Sequence, residues 1–134
     1  MAEQRPAPLQ GLRILVVDDD DDTRELVARV LEGRGAHVVS ASSAAEAWAA
    51  FESSAPDAML VDIAMPGEDG YSFLRRVRAR PPEQGGRTPA AALTARVVVE
   101  DRLESLRAGF QSHMAKPVDP DDLVSVMAQL AGRA

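Results

Sequence analysis

The chain has 134 residues, a length suited to one domain with a core of its own. Hydrophobic residues make up 46% and charged residues 27%, but aromatics only 4%, so Val, Leu, Ile and Ala must do most of the packing and a base-stacking nucleic-acid platform is disfavoured. A net charge of -6 disfavours a binder of phosphate backbones, and the absence of cysteine excludes disulfides, zinc thiolate sites and thiol catalysis.

No apolar run approaches the ~18 residues needed to span a bilayer. The segment Met1 to Gln10 lacks the apolar stretch of a secretion signal, so a cytoplasmic location is expected. Residues 1–11 read as a flexible lead-in or linker, because Pro6 and Pro8 interrupt pairing and almost nothing there can be buried. Residues 132–134 read as a tail. Ile14 to Val17 is a continuous apolar run, as expected of a strand buried on both faces. Asp22 to Leu31 reads as a helix, with Asp22 as N-cap, Glu25 as its partner three residues on, and Leu26, Val27, Val30 and Leu31 as the apolar stripe. Gly33 or Gly35 can end it. His37 to Ala41 is a second strand, and Ser43 with Glu46 repeats the capping pattern before a helix with Ala44, Ala47, Trp48 and Phe51 inward. Ala58 to Asp62 is a third strand, and Gly67 and Gly70 punctuate the loop after it. A helix follows over Tyr71 to Arg80, turning Phe73, Leu74 and Val77 inward. Beyond a Gly/Pro-rich connection, a strand at Ala90 to Thr94 precedes a helix at Glu100 to Ala108, stopped by Gly109. Ser112 to Ala115 is a fifth strand. Asp119 caps the last helix with Pro120 at its first position, and Leu123, Val126, Met127 and Leu130 face in.

Five strand–helix units in alternation imply a parallel sheet with helices on both faces and right-handed crossovers. Ligands of such sheets bind beyond the carboxyl ends of the strands, where the strand order switches. The first strand runs out at Asp18-Asp19, within five consecutive aspartates; the third at Asp62; the fourth at Thr94; and the fifth is followed by Lys116-Pro117. Taken singly, these are a solvated loop, a turn cap, a strand-end hydroxyl and a surface lysine. Taken together they converge on one edge. Three clustered carboxylates repel unless a cation sits among them, and Mg²⁺ suits an all-oxygen site of carboxylates, a carbonyl and water. A carboxylate such as Asp62 can act as a nucleophile toward phosphorus, with Lys116 and the Thr94 hydroxyl offsetting charge on the phosphoryl oxygens.

The stretches ILVVDDD (14–20), LVDIAMPGEDG (60–70), ALTA (92–95) and AKP (115–117) together resemble the receiver domain of two-component response regulators over residues 12–131. The phrasing EDGYSFLRRVRA, ALTA, EDR, AGF and AKPVDPDDL is most similar to receivers attached to hybrid sensor histidine kinases. The resemblance implies a flavodoxin-like (βα)5 domain with strand order 2-1-3-4-5. It implies a phosphorylation switch that promotes only its own phosphorylation and dephosphorylation. Asp62 would accept a phosphoryl group from a phosphohistidine on a histidine kinase or a histidine phosphotransfer protein, with a covalently attached kinase core as one arrangement. Direct nucleic-acid contact and membrane insertion are not expected. Asp18, Asp19, Asp62 and the backbone carbonyl of Ala64 would hold Mg²⁺ or Mn²⁺, with Asp19 as a direct ligand and Asp18 acting through water. Lys116 would contact the phosphoryl group, with Pro117 after it in the cis form. Thr94 would be the switch hydroxyl, and Met65-Pro66-Gly67 would shape the loop after Asp62.

The chain departs from the family pattern at His113, where the switch position on the fifth strand usually carries Tyr or Phe, and at Phe110, where a small residue is common. Arg96 is expected at the mouth of the site. Trp48 is expected in the core. A competing reading is a haloacid-dehalogenase-like phosphohydrolase with Asp19 as nucleophile, since Asp19, Asp21 and Thr23 match its opening motif. The register is poor, because the aspartate directly after the apolar strand is Asp18, and there is no room for a cap domain. A calcium loop starting at Asp18 fails at Thr23 and Arg29, where glycine and glutamate are needed. A receiver used only for docking is opposed by the intact acidic set with Thr94 and Lys116.

Overall fold

The computed structural model describes residues 7–95 and 99–133. Five strands alternate with five helices: β1 (Arg13–Val17), α1 (Asp21–Glu32), β2 (His37–Ala41), α2 (Ala44–Ser54), β3 (Ala58–Asp62), α3 (Gly70–Arg78), β4 (Ala90–Thr94), α4 (Val99–Ala108), β5 (Ser112–Ala115) and α5 (Pro120–Leu130), with one 3-10 turn at Pro82–Gln84. All neighbouring strands are parallel, in the order β2-β1-β3-β4-β5. The order therefore reverses beside β1, which is where the aspartate run begins.

Side chains alternate across the sheet, so each central strand feeds two cores. Leu15, Val17, Met59, Val61, Ala90 and Ala92 pack on one face with Phe51, Phe73 and Phe110. Ile14, Val16, Leu60, Ala91 and Leu93 pack on the other with Val27, Leu31, Leu123 and Met127. This two-sided burial is why β1, β3 and β4 read as unbroken apolar runs while the edge strand β2 does not.

The structure moves several local expectations. The N-cap of α1 is Asp20, whose side chain accepts the Thr23 N–H, so the Asp22–Glu25 pair does not cap this helix. In a run of five aspartates any member can cap, and the choice falls to the one left after Asp18 is drawn into the sheet edge. With α1 starting at Asp21, Val27 and Leu31 face the sheet and Leu26 turns outward, 51% exposed. Helix α2 is capped by Ser43 as expected, and Glu46 reaches back to the Ser42 N–H and hydroxyl. Helix α3 begins at Gly70, one residue before the expected start, behind an Asp69 cap, and stops at Arg78. A Cβ at Gly70 would stand 2.5 Å from the Asp62 carbonyl oxygen, so only glycine lets the helix start against the end of β3. The 7–11 stretch anchors through one buried residue, although little burial was expected there. Leu9 is fully buried and its N–H donates to the Arg34 carbonyl at 2.9 Å. Gly35, with φ +100°, passes so close that a Cβ would lie 2.8 Å from Gln10 Cα. No helix among the described residues is long and apolar enough to cross a membrane.

Candidate phosphoryl and metal site

The strand register puts Val17 beside Val61, Asp62 beside Leu93, and Thr94 beside Ala115. The residues that follow or close these strands therefore meet at the carboxyl edge. Asp18, Asp19 and Asp62 each offer a carboxylate oxygen, and these atoms lie within 4.8 Å of one another. Asp18 and Asp62 are buried, while Asp19 is exposed at the mouth. The Lys116 Nζ reaches Asp18 Oδ2 at 2.9 Å and Asp62 Oδ2 at 3.4 Å. It is the one cation the described residues place between the two buried carboxylates.

Each buried group is also held by backbone. Asp18 donates its N–H to the Ala41 carbonyl at 3.1 Å, and its Oδ1 accepts the Asp20 N–H at 2.9 Å. Asp62 Oδ1 accepts the Ala64 N–H at 3.0 Å. Lys116 donates its N–H to the Thr94 carbonyl at 2.7 Å, which ties β5 to β4 at the site. The Lys116–Pro117 bond is cis, as the resemblance implied. Met65 is buried and Gly67 takes φ +77° in the loop after Asp62.

Electrostatics at this edge are unbalanced. Burial, and secondarily the Asp18 charge, push the Asp62 carboxyl up to about 6, although the Ala64 N–H and Lys116 work against this. Burial opposes the charge of Lys116, but its hydrogen bond to Asp18 and the Asp62 and Asp18 charges outweigh it and hold the ammonium above its ordinary value. One ammonium thus faces three carboxylates. The donor set is entirely oxygen and carries excess negative charge, which suits a hard divalent cation. Among the described residues, no histidine or cysteine ligand stands in the cluster.

Thr94 closes β4 and is 7% exposed. His113 is not in the cluster: on β5 it pairs with Ala92 of β4 and lines a hollow with Arg102, Leu106 and Phe110. Burial, with Arg102 nearby, pulls the His113 imidazole below its ordinary value. Phe110, which lines the same hollow, is buried. Arg96 lies outside the described residues. Trp48 is half-buried, against Phe51 and Phe73, with the guanidinium groups of Arg76 and Arg80 over its ring at 4.5 and 5.4 Å.

In the sequence Gly70 read only as loop punctuation, and Arg24 carried no signal. Gly70 lets α3 begin against the carbonyl of Asp62. Arg24, one turn into α1, donates from Nη1 to the Asp18 carbonyl at 2.8 Å. A polar residue in a surface helix gives no hint that it turns back onto a strand end.

Comparison with known proteins agrees with this geometry. Residues 14–128 match the response regulator receiver domain family. The chain is 45% identical over 121 residues to an uncharacterized 14.6 kDa protein of Leptolyngbya boryana, covering 90% of this chain and 91% of that one. It is 36% identical over 125 residues to response regulator Rre1 of Synechocystis, covering 92% of this chain and 53% of that one. It is 38% identical over 117 residues to hybrid signal transduction histidine kinase D of Dictyostelium discoideum, covering 83% of this chain but 8% of that protein. Several curated relatives are thus about twice the length of this chain or more. Among solved structures, a response regulator from Chloroflexus aurantiacus superposes with a TM-score of 0.85 at 34% identity, over 91% of this chain and 98% of that one. The chain belongs to the response regulator receiver domain family and is a phosphorylation switch of two-component signalling rather than a conventional enzyme.

Proposed function

We propose that Asp62 is the phosphoryl acceptor of this receiver and that the phosphoryl donor is a phosphohistidine on a histidine kinase or a histidine phosphotransfer protein. A carboxylate oxygen of Asp62 forms the new bond to phosphorus as the bond from phosphorus to the imidazole nitrogen breaks, and the histidine, its other ring nitrogen already protonated, leaves as neutral imidazole. The observation that carries this reading is the position of Asp62. It is buried at the end of β3, within the acidic cluster, and 3.4 Å from the Lys116 ammonium.

Asp18, Asp19, Asp62 and the Ala64 carbonyl would hold Mg²⁺ or Mn²⁺, which when bound neutralises charge on the phosphoryl oxygens. Lys116 stays close enough to follow the new charge on Asp62. Thr94, at the end of the neighbouring strand, supplies the hydroxyl that follows the phosphoryl group, and His113 fills the aromatic switch position two residues in from the Thr94–Ala115 pair. Docking on a kinase core within the same polypeptide is one form of partnership, supported by the hybrid kinase relative. The receiver unit spans 12–131, with 1–11 leading in and 132–134 as a tail, and works in the cytoplasm.

The test is incubation with acetyl phosphate and Mg²⁺ followed by intact-mass analysis. One phosphoryl adduct is expected on the wild-type chain and none on Asp62→Asn. An adduct persisting in Asp62→Asn sinks the assignment. Phosphomonoester turnover that survives Asp62→Asn but not Asp19→Asn would move the chemistry to Asp19.

A further inference from the structure

We infer that Arg24 is a positioning residue of the metal site, holding the Asp18–Asp19 peptide so that both carboxylates stay aimed at the cation; this rests on the metal reading given above. Arg24 lies on α1, and its side chain is 18% exposed. Its Nη1 donates to the Asp18 carbonyl at 2.8 Å. The other end of the same residue is fixed too, because the Asp18 N–H donates to the Ala41 carbonyl. With both backbone groups of Asp18 tied, the direction of the next peptide is set, and with it the direction in which the Asp19 side chain leaves the chain.

That constraint has something to act on. Asp19 is exposed, with the strand behind it finished and α1 not yet begun, so it lies in the stretch of the site with the least regular backbone support. The Asp20 N–H bonds back to Asp18 Oδ1, and Asp20 then caps α1. Arg24 closes this loop from the helix side. The second guanidinium arm pairs with Asp21, which keeps Arg24 folded back over the loop. Replacing a group that orients metal ligands without touching the metal commonly costs about 10- to 100-fold in metal affinity.

The sign of the effect separates positioning from charge. Arg24 is a cation beside an acidic cluster, so by Coulomb attraction alone its removal should tighten divalent binding. Loss of positioning should weaken it. The experiment titrates the metal-free chain with Mn²⁺ and follows free Mn²⁺ by electron paramagnetic resonance, in wild type, Arg24→Met, Arg24→Lys and Asp19→Asn. Circular dichroism establishes that each variant is folded, and Arg24→Leu carries the same test if Arg24→Met does not fold. Arg24→Met is expected to bind Mn²⁺ roughly tenfold more weakly, with Arg24→Lys recovering much of the loss because it keeps a donor within reach of the carbonyl. Equal or tighter binding by folded Arg24→Met or Arg24→Leu overturns the inference. Wild type that does not bind Mn²⁺, or Asp19→Asn that binds it as well, overturns the metal reading itself.

Discussion

The two edges of the sheet treat buried charge in opposite ways. At the carboxyl edge, three carboxylates crowd one ammonium, and the acid in the middle, Asp62, is pushed up to about 6. At the amino edge stands Arg78, at the end of α3, half-buried and, among the described residues, held by carbonyl oxygens rather than by a carboxylate. Its Nε and Nη2 donate to the Gly109 carbonyl at 3.0 and 2.9 Å, and its Nη1 to the Gly86 and Thr88 carbonyls at 3.1 and 2.7 Å. It thereby ties α3, the connection before β4, and the end of α4 together. Burial pulls its guanidinium below the ordinary value, and the group stays charged. A buried cation surrounded by backbone dipoles is satisfied by the fold alone and serves the fold. A cluster of like charges is left unsatisfied by the fold, and that deficit is what makes it ready for a cation and a phosphoryl group.

The largest test of this contrast is Arg78→Met. It keeps the apolar stem but strips donors from three backbone carbonyls, each costing about 1–3 kcal/mol when left unpaired. We expect a loss of roughly 3–4 kcal/mol in urea unfolding, with Mn²⁺ affinity of the folded chain unchanged. A change below about 1 kcal/mol would break the account of the amino edge.

Next comes Asp62→Asn without metal. The folded value of about 6 lies above the ordinary 3.8, so protonation favours the folded chain. Stability from this group is present below the unfolded value and is lost as pH rises through the folded one. Metal-free wild type should therefore weaken between about pH 4 and pH 7, by at most ~3 kcal/mol. Asp62→Asn should flatten that slope and be the more stable chain near pH 8. Parallel pH profiles of unfolding in EDTA for the two chains would show that the site stores no such repulsion.

A smaller effect is expected from metal. Mg²⁺ at about tenfold over its Kd should add roughly 1.4 kcal/mol, a rise of about 3–6 °C in Tm. Asp19→Asn should lose most of that rise, while Arg78→Met should keep it. Equal rises in wild type and Asp19→Asn would separate stabilisation from the acidic edge.

The smallest signal concerns His113. Its value is lowered by burial first and by Arg102 second, so the folded chain favours the neutral ring. The sign is opposite to that of Asp62: stability from this group is present above the unfolded value of about 6.5 and is lost as pH falls below it. Ring resonances followed with and without beryllofluoride should show a titration midpoint below that of an unstructured histidine and a shift on activation. Unchanged shifts would make His113 a bystander and leave switching to the loops.

Much of the molecule was legible because the local and global signals agree. Strands buried on both faces must be apolar runs, so β1, β3 and β4 announce themselves, and the first polar residue after each run marks the carboxyl edge. Asp18, Asp62 and Thr94 were readable for that reason, and Lys116 as the residue that follows β5. The cap of α1 was not, since five consecutive aspartates offer equivalent side chains and the neighbouring strand decides which remains free. Nor was the outward turn of Leu26, because a shift of one or two residues in the helix start rotates the whole stripe.

The sequence by itself therefore determined the class of fold, the order of its elements and the chemistry gathered at one edge, since each follows from periodicity and from where apolar runs end. Only the tertiary structure decided the rest. It singled out Arg78 among the arginines of α3 as a clamp and turned Arg24 back onto the Asp18 carbonyl. It also buried Leu9 from an unpromising lead-in and set Lys116 between two carboxylates. The physical reason is common to all four. Each depends on a partner 6 to 98 positions away in the chain, brought near only when the sheet closes, and no local pattern records a neighbour that distant.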